Sequence, residues 1–205
     1  MAPGLKEVKV FLSCPEDIVE CGIKDMAERV FEEDNIYFKN HYGFIFELKH
    51  WKKNVYLGKG APRVQDRINE ILKNCDIYLG ILWTRFGSPP GSNLEGLSYS
   101  SGTEEEFYFA KSLNKKLWLL FCHYEIDPYK IDPEQLDKIK KFKEQLKREK
   151  IWYAEFYKED EFRTILKENI SNFVNERYSI NIDQKQGLPP SLPSGSDFSK
   201  YSRVF

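Results

Sequence analysis

Three consecutive glutamates, Glu104, Glu105 and Glu106, stand in "SSGTEEEFYFAKSLNKK" (100–116), just ahead of an aromatic-rich helical stretch. A carboxylate there either caps the helix or is aimed at something, and spacing separates the two roles. Ser101 followed by Glu104, and Thr103 followed by Glu106, each fit a capping box. First-turn carboxylates also favour the helix dipole, by about 0.3–1 kcal/mol each. Residues 106, 109, 110 and 113 share one helical stripe, so Glu106 heads a face made of Phe109, Ala110 and Leu113. Lys111, Ser112 and Lys115 occupy the other side, and the same spacing turns Glu104 and Glu105 toward solvent. Glu106 is expected to point inward.

The surrounding elements are expected to place it at a sheet edge. "EVKVFLSC" (7–14), "YGFIFELKHW" (42–51), "DIYLGILW" (76–83), "KLWLLFCHY" (116–124) and "KIWYAEF" (150–156) read as five strands. The third is an unbroken apolar run, as in a strand covered on both faces. Helical spacing is expected over 16–34, through "PRVQDRINEILKNCD" (Val64, Ile68, Ile71, Leu72, Cys75), over 133–149 (Leu136, Ile139, Phe142, Leu146) and over 159–178 (Phe162, Ile165, Leu166, Ile170, Phe173, Val174). Alternating strands and helices predict an α/β domain around a mostly parallel five-stranded sheet, with right-handed crossovers covering both faces. The helix headed by the glutamates follows a strand and the long Gly/Pro/Ser loop 84–102. Its start then lies at the carboxyl ends of the strands, where open α/β sheets bind ligands.

Composition narrows the classes. A net charge of −1 gives no basic footprint for nucleic acid. Four cysteines form no CxxC, and the three histidines have no ligand spacing, so buried free thiols are expected and no metal. The start lacks a signal-peptide pattern, and no run approaches the ~18 apolar residues of a membrane helix, so a cytoplasmic protein is expected. The stretch 179–205 is rich in Pro, Ser and Gly and reads as a linker or tail, of the kind that leads to a further domain.

A carboxylate with no metal, no nucleophilic Ser or Cys and no His partner suits chemistry at C1′ of a ribose. It can stabilise or capture an oxocarbenium-like centre as an N-glycosidic bond breaks. A second carboxylate is dispensable when the leaving group is already cationic, as nicotinamide is in NAD⁺. Desolvation would raise the pKa of Glu106 and the helix N-terminus would lower it.

"VFLSCPED", "CDIYLGILWTRFGSPPG" and "SGTEEEFYFA" together resemble the TIR-like domains at the front of STAND/NLR-type proteins, over about residues 8–122. "SGTEEEFYFA" is also similar to the SGT-x-x-E-x-x-x-A segment of nucleoside 2-deoxyribosyltransferases, whose glutamate attacks the sugar C1′. The resemblance implies a flavodoxin-like three-layer fold. Glu106 with Ala110 matches both families, which implies that Glu106 is the catalytic glutamate of an NAD⁺ hydrolase, activated by TIR–TIR assembly and acting in defence or cell death. A non-catalytic TIR interaction module and a nucleoside or nucleotide glycosyl-transfer enzyme are the alternatives. NAD⁺ would be the substrate, with no separate cofactor.

Seven further residues are candidate substrate contacts, each with a structural alternative. Ser13 and Cys14 end the first strand and either line a nucleotide pocket or cap the strand. Arg85 suits a diphosphate and Trp83 a stacked base, with Phe86 beside them; the alternatives are a surface arginine and packed rings. Ser101 and Thr103 either face the ligand or cap the helix. Trp51 reads as core, and Gly58 and Gly60 in "LGKGAP" lack the spacing of a phosphate loop.

Overall fold

The topological switch of the sheet sits between its first and third strands, and the site is built around it. The computed structural model describes residues 6–50, 63–93 and 96–178. Trp51, the loop with Gly58 and Gly60, and the 179–205 tail lie outside the described residues. The elements run β1 (Lys6–Ser13), α1 (Glu16–Glu20), α2 (Ile23–Tyr42), β2 (Phe44–His50), α3 (Val64–Lys73) and β3 (Ile77–Leu82). Then come α4 (Gly102–Ser112), β4 (Lys116–Cys122), α5 (Pro133–Arg148), β5 (Ala154–Phe156) and α6 (Glu159–Tyr178). Five strands form one all-parallel sheet in the order β2-β1-β3-β4-β5, the flavodoxin-like arrangement.

Strand alternation splits the core into two layers. Val8, Val10, Leu12, Ile77, Leu79, Ile81, Trp118 and Leu120 face α1, α2 and α6. Phe11, Tyr78, Leu82, Leu119 and Phe121 face α3, α4 and α5. β3 is buried at all six positions, as its continuous apolar run requires. The whole expected stripe of α6, from Phe162 to Val174, is buried against the first layer. Three of the four free cysteines, Cys14, Cys75 and Cys122, are buried. No helix among the described residues is long and apolar enough to cross a membrane.

Two helices depart from the sequence expectation. The single helix expected over 16–34 is two helices, broken at Gly22, whose φ of 83° is one that glycine adopts without strain. The second runs on past residue 34 to Tyr42, and within it lies Asn35. Its side-chain amide accepts from the backbone N–H of Phe46 at 2.7 Å and donates to its carbonyl at 2.8 Å, which ties α2 to the edge strand β2.

The phase of α4 is also different. Its buried face is Thr103, Glu106, Phe107 and Ala110, at i, i+3, i+4 and i+7, while Leu113 is at the C-cap and 36% exposed. Glu106 and Ala110 do lie on the inner stripe. Phe107, not Phe109 or Leu113, completes it, and that rotation carries Glu105 inward as well.

Candidate functional site

Glu106 lies 6% exposed at the base of a cleft of about 530 Å³ that opens beyond the carboxyl ends of β1 and β3. Cys14 from the end of β1, Gln65 and Ile68 from α3, Gly102 and Thr103 from α4, and Gln135 from α5 line it. Both oxygens of Glu106 are engaged by neutral donors. The Ser13 hydroxyl donates to Oε2, and the Gln65 side-chain amide donates to Oε1 at 3.0 Å. Among the described residues no cation pairs with it. Burial pushes its pKa up to about 7, against the Ser13 and Gln65 hydrogen bonds that hold it down; the charge of Glu105 adds to the rise. A carboxylate so poised is divided between its two protonation states near neutral pH. Next to it the Tyr78 hydroxyl, fully buried and near the carbonyl of Thr103 at 3.4 Å, is held protonated by desolvation.

Glu104 and Glu105 have other duties. Ser101 is the N-cap of α4, its hydroxyl accepting from the Glu104 N–H at 3.0 Å. The Glu104 carboxylate reaches back to the N–H and hydroxyl of Ser100, both at 2.7 Å. Glu105 overturns the expectation that it faces solvent: it is 3% exposed and bidentate to Arg63, at 2.8 and 3.1 Å. Asn69 donates to it as well, at 2.9 Å. Adjacent in sequence, the two buried glutamates differ in kind, because one has a guanidinium and the other does not.

The other candidates divide between the cleft and elsewhere. Ser13, Cys14, Thr103 and the exposed Arg85 gather around Glu106 or the cleft mouth. Burial and the nearby Glu106 push the Cys14 thiol up to about 12, so it is no nucleophile at neutral pH; its sulfur lies 3.7 Å from His50 Nε2. Trp83 is not in the cleft. Alternation turns it to the α2/α6 side, where its indole N–H donates to the Tyr124 carbonyl at 3.2 Å. Phe86 is a core ring, 1% exposed and 5.1 Å from Phe142. Ser101, fully buried as a cap, is absent from the cleft lining.

Three residues were missed by the sequence reading. Gln65 falls at i−3 and i−7 from Ile68 and Leu72, so it is a polar residue on the apolar phase of α3, whereas Val64, counted in that stripe, is 50% exposed. That misplaced polarity was the available signal. Asp17 and Gln135 anchor the loop after β3. Asp17 Oδ2 accepts from the N–H groups of Thr84 and Arg85 at 2.8 and 2.9 Å. Gln135 Oε1 accepts from those of Phe86 and Gly87 at 2.8 and 3.1 Å. Nothing in a first-turn Asp or Gln announces such a partner.

Gly102 controls the Gln65 contact. A Cβ there would stand 2.7 Å from Gln65 Oε1, so the flexible glutamine must swing away. Gly102→Ala is therefore expected to remove a donor from ionised Glu106 and raise its pKa above about 7, with little change in stability. NMR titration of ¹³C-labelled glutamate carboxyls reads this directly; an unchanged midpoint would show that Gln65 does not govern the charge.

No curated protein matches the chain. Residues 41–171, which include Gln65, Glu106 and Gln135 but not Ser13, match the family described as "Domain of unknown function (DUF4062)", and over that span, more than half its length, the chain belongs to this family.

Proposed function

We propose that the Glu106 cleft breaks the nicotinamide–ribose N-glycosidic bond of NAD⁺. The observation that carries this reading is Glu106 itself. It is a buried carboxylate at the switch point of a parallel sheet, held by two neutral donors and, among the described residues, not neutralised by any cation. Such a group has its charge available for a developing positive centre. As the C1′–N bond breaks, its electron pair leaves with nicotinamide, which departs neutral and needs no general acid. The positive character left on C1′ and the ring oxygen faces Glu106, which stabilises or captures it until water attacks C1′ and loses a proton. Ser13 and Gln65 fix the carboxylate, and Arg85, at the mouth, has the planar fork that suits a diphosphate.

The resemblance of "SGTEEEFYFA" and the flanking strands to TIR-like domains supports the same reading, with Glu106 and Ala110 at the matching positions. It further suggests a cytoplasmic defence or cell-death effector whose site is completed by head-to-tail contacts between copies. Turnover is then expected to rise more than linearly with protein concentration, or on fusion to an oligomerising scaffold. The SGT-x-x-E spacing also favours a second reading, base exchange on nucleosides by the same glutamate.

Chromatography of NAD⁺ and of nucleoside mixtures incubated with concentrated protein separates these readings. Release of nicotinamide from NAD⁺ supports the hydrolase, and exchange of bases between nucleosides supports the transferase. Inertness toward both, in the concentrated and scaffold-fused forms, rejects catalysis and leaves an interaction module.

A further inference from the structure

Arg85 belongs to two cavities. Besides the Glu106 cleft there is a second one of about 520 Å³, and Arg85 is common to both linings. The same three stretches of chain wall the two. From α1 and its C-cap, Glu16 and Val19 face the cleft, while Glu20 and Cys21 face the second cavity. Beyond β4, Lys130 lines the second cavity and Gln135, in the first turn of α5, lines the cleft. The loop after β3 runs from one to the other, with Thr84 in the second cavity, Gly87 in the cleft and Arg85 in both.

The residues at this junction have unspent chemistry. Arg85 is exposed, and among the described residues its guanidinium has no partner. Its backbone is fixed all the same, since Asp17 accepts from the Arg85 N–H at 2.9 Å. A held backbone that carries a free planar fork suits a pair of linked phosphates. The rest of the second cavity suits a nucleoside. Trp83 spends its indole N–H on the Tyr124 carbonyl at 3.2 Å, so it offers the cavity its half-buried ring, and Ile126 adds to the apolar lining. Glu20 and Glu125 are exposed carboxylates in the same lining, able to accept from ribose hydroxyls or an exocyclic amine. Pockets for small ligands measure about 300–1,000 Å³, so each cavity has room for one nucleoside.

We propose that the second cavity binds the adenosine half of the NAD⁺ dinucleotide, with the diphosphate lying over Arg85 between the two cavities. The proposal rests on the reading of Glu106 as the group that faces C1′. It places the nicotinamide riboside in the cleft and the adenine ring against Trp83.

ADP, which carries the adenosine half and both phosphates, is the probe, titrated into ¹⁵N-labelled protein and followed by NMR. Saturable shifts are expected at the Trp83 indole N–H and at the amides of Cys21, Arg85 and Ile126, with nuclear Overhauser contacts from adenine protons to the Trp83 ring. Arg85→Gln leaves the backbone N–H that Asp17 holds, and is expected to weaken ADP roughly tenfold. The proposal is overturned if ADP gives no saturable shift up to its solubility limit, or if the shifts centre on Gln65, Ile68 and Thr103 of the cleft. Unchanged affinity in Arg85→Gln overturns it equally. Nicotinamide mononucleotide has the same scissile bond and a single phosphate, and its kcat/KM is expected to fall at least about tenfold below that of NAD⁺. Equal values overturn the second subsite and leave the reading of Glu106 intact. If neither compound is cleaved, the reading of Glu106 fails, and the ADP map alone decides whether this cavity is a nucleotide site.

Discussion

Glu106→Gln is expected to lower NAD⁺ cleavage by about 10²–10⁴-fold and, at the same time, to make the protein more stable above neutral pH. The first effect follows from losing the charge that faces C1′ while keeping shape. The new amide nitrogen donates where one oxygen accepted, and the Ser13 hydroxyl can turn to accept from it. The second follows from the sign of the pKa shift. Folding raises the carboxyl from 4.5 to about 7, so the folded state holds its proton more tightly than the unfolded chain. Stability on account of this group is therefore full below pH 4.5 and declines as pH rises through about 7. The accumulated cost is roughly 3 kcal/mol, at about 1.4 kcal/mol per pH unit. Glutamine carries none of it. Thermal melts are expected to coincide at about pH 4 and to separate by several degrees in favour of the variant at about pH 8.5. A variant that is inactive and less stable at high pH would mark Glu106 as a structural residue. In the native protein the same titration predicts a rate that climbs with pH to a plateau, with a midpoint near 7.

The neighbouring substitution is expected to act in the opposite direction on stability. Glu105→Gln strips the charge from a pair whose side chains are 4% and 13% exposed. Breaking a buried pair on one side costs about 3–5 kcal/mol; because Asp66 still faces Arg63, about 3 kcal/mol is expected here. For a domain of this size that is a fall of about ten degrees in Tm, at about 2–4 °C per kcal/mol. Below the melt the Glu105→Gln protein is expected to retain most of its activity, because Glu105 is engaged by Arg63 and Asn69 and is absent from the cleft lining. Melts and initial rates on the two variants together assign one carboxylate to chemistry and the other to the fold. Equal losses of stability would dissolve the distinction.

The contrast also locates what the sequence could and could not disclose. β3 and α6 were legible because burial on both faces, or on one stripe, writes itself as hydrophobic periodicity. Glu106 was legible for the same reason, since Ala110 four residues on fixes the inner side of α4. Glu105 was not. Its burial depends on Arg63, 42 positions earlier, and a long-range ion pair leaves no local pattern. Choosing Leu113 over Phe107 for the stripe then turned the helix the wrong way for it. Gln65 lay within reach, as a polar residue on an apolar phase. Trp83, Phe86 and Ser101 were assigned to the cleft by proximity in sequence to the end of β3 and the start of α4. Strand alternation, the packing of Phe142 and the capping geometry place them elsewhere.

The loop at the cleft's rim is tied down in an unusual way. Four successive amides, those of Thr84, Arg85, Phe86 and Gly87, all donate to just two side-chain oxygens, one from Asp17 and one from Gln135. Loop amides ordinarily trade their hydrogens for solvent deuterium rapidly, because nothing but water holds them. These four are instead expected to exchange together and slowly, since freeing any of them means loosening α1 or α5. The entrance to the cleft would then share the opening free energy of two helices, and its fluctuations would be those of the domain rather than of a free loop.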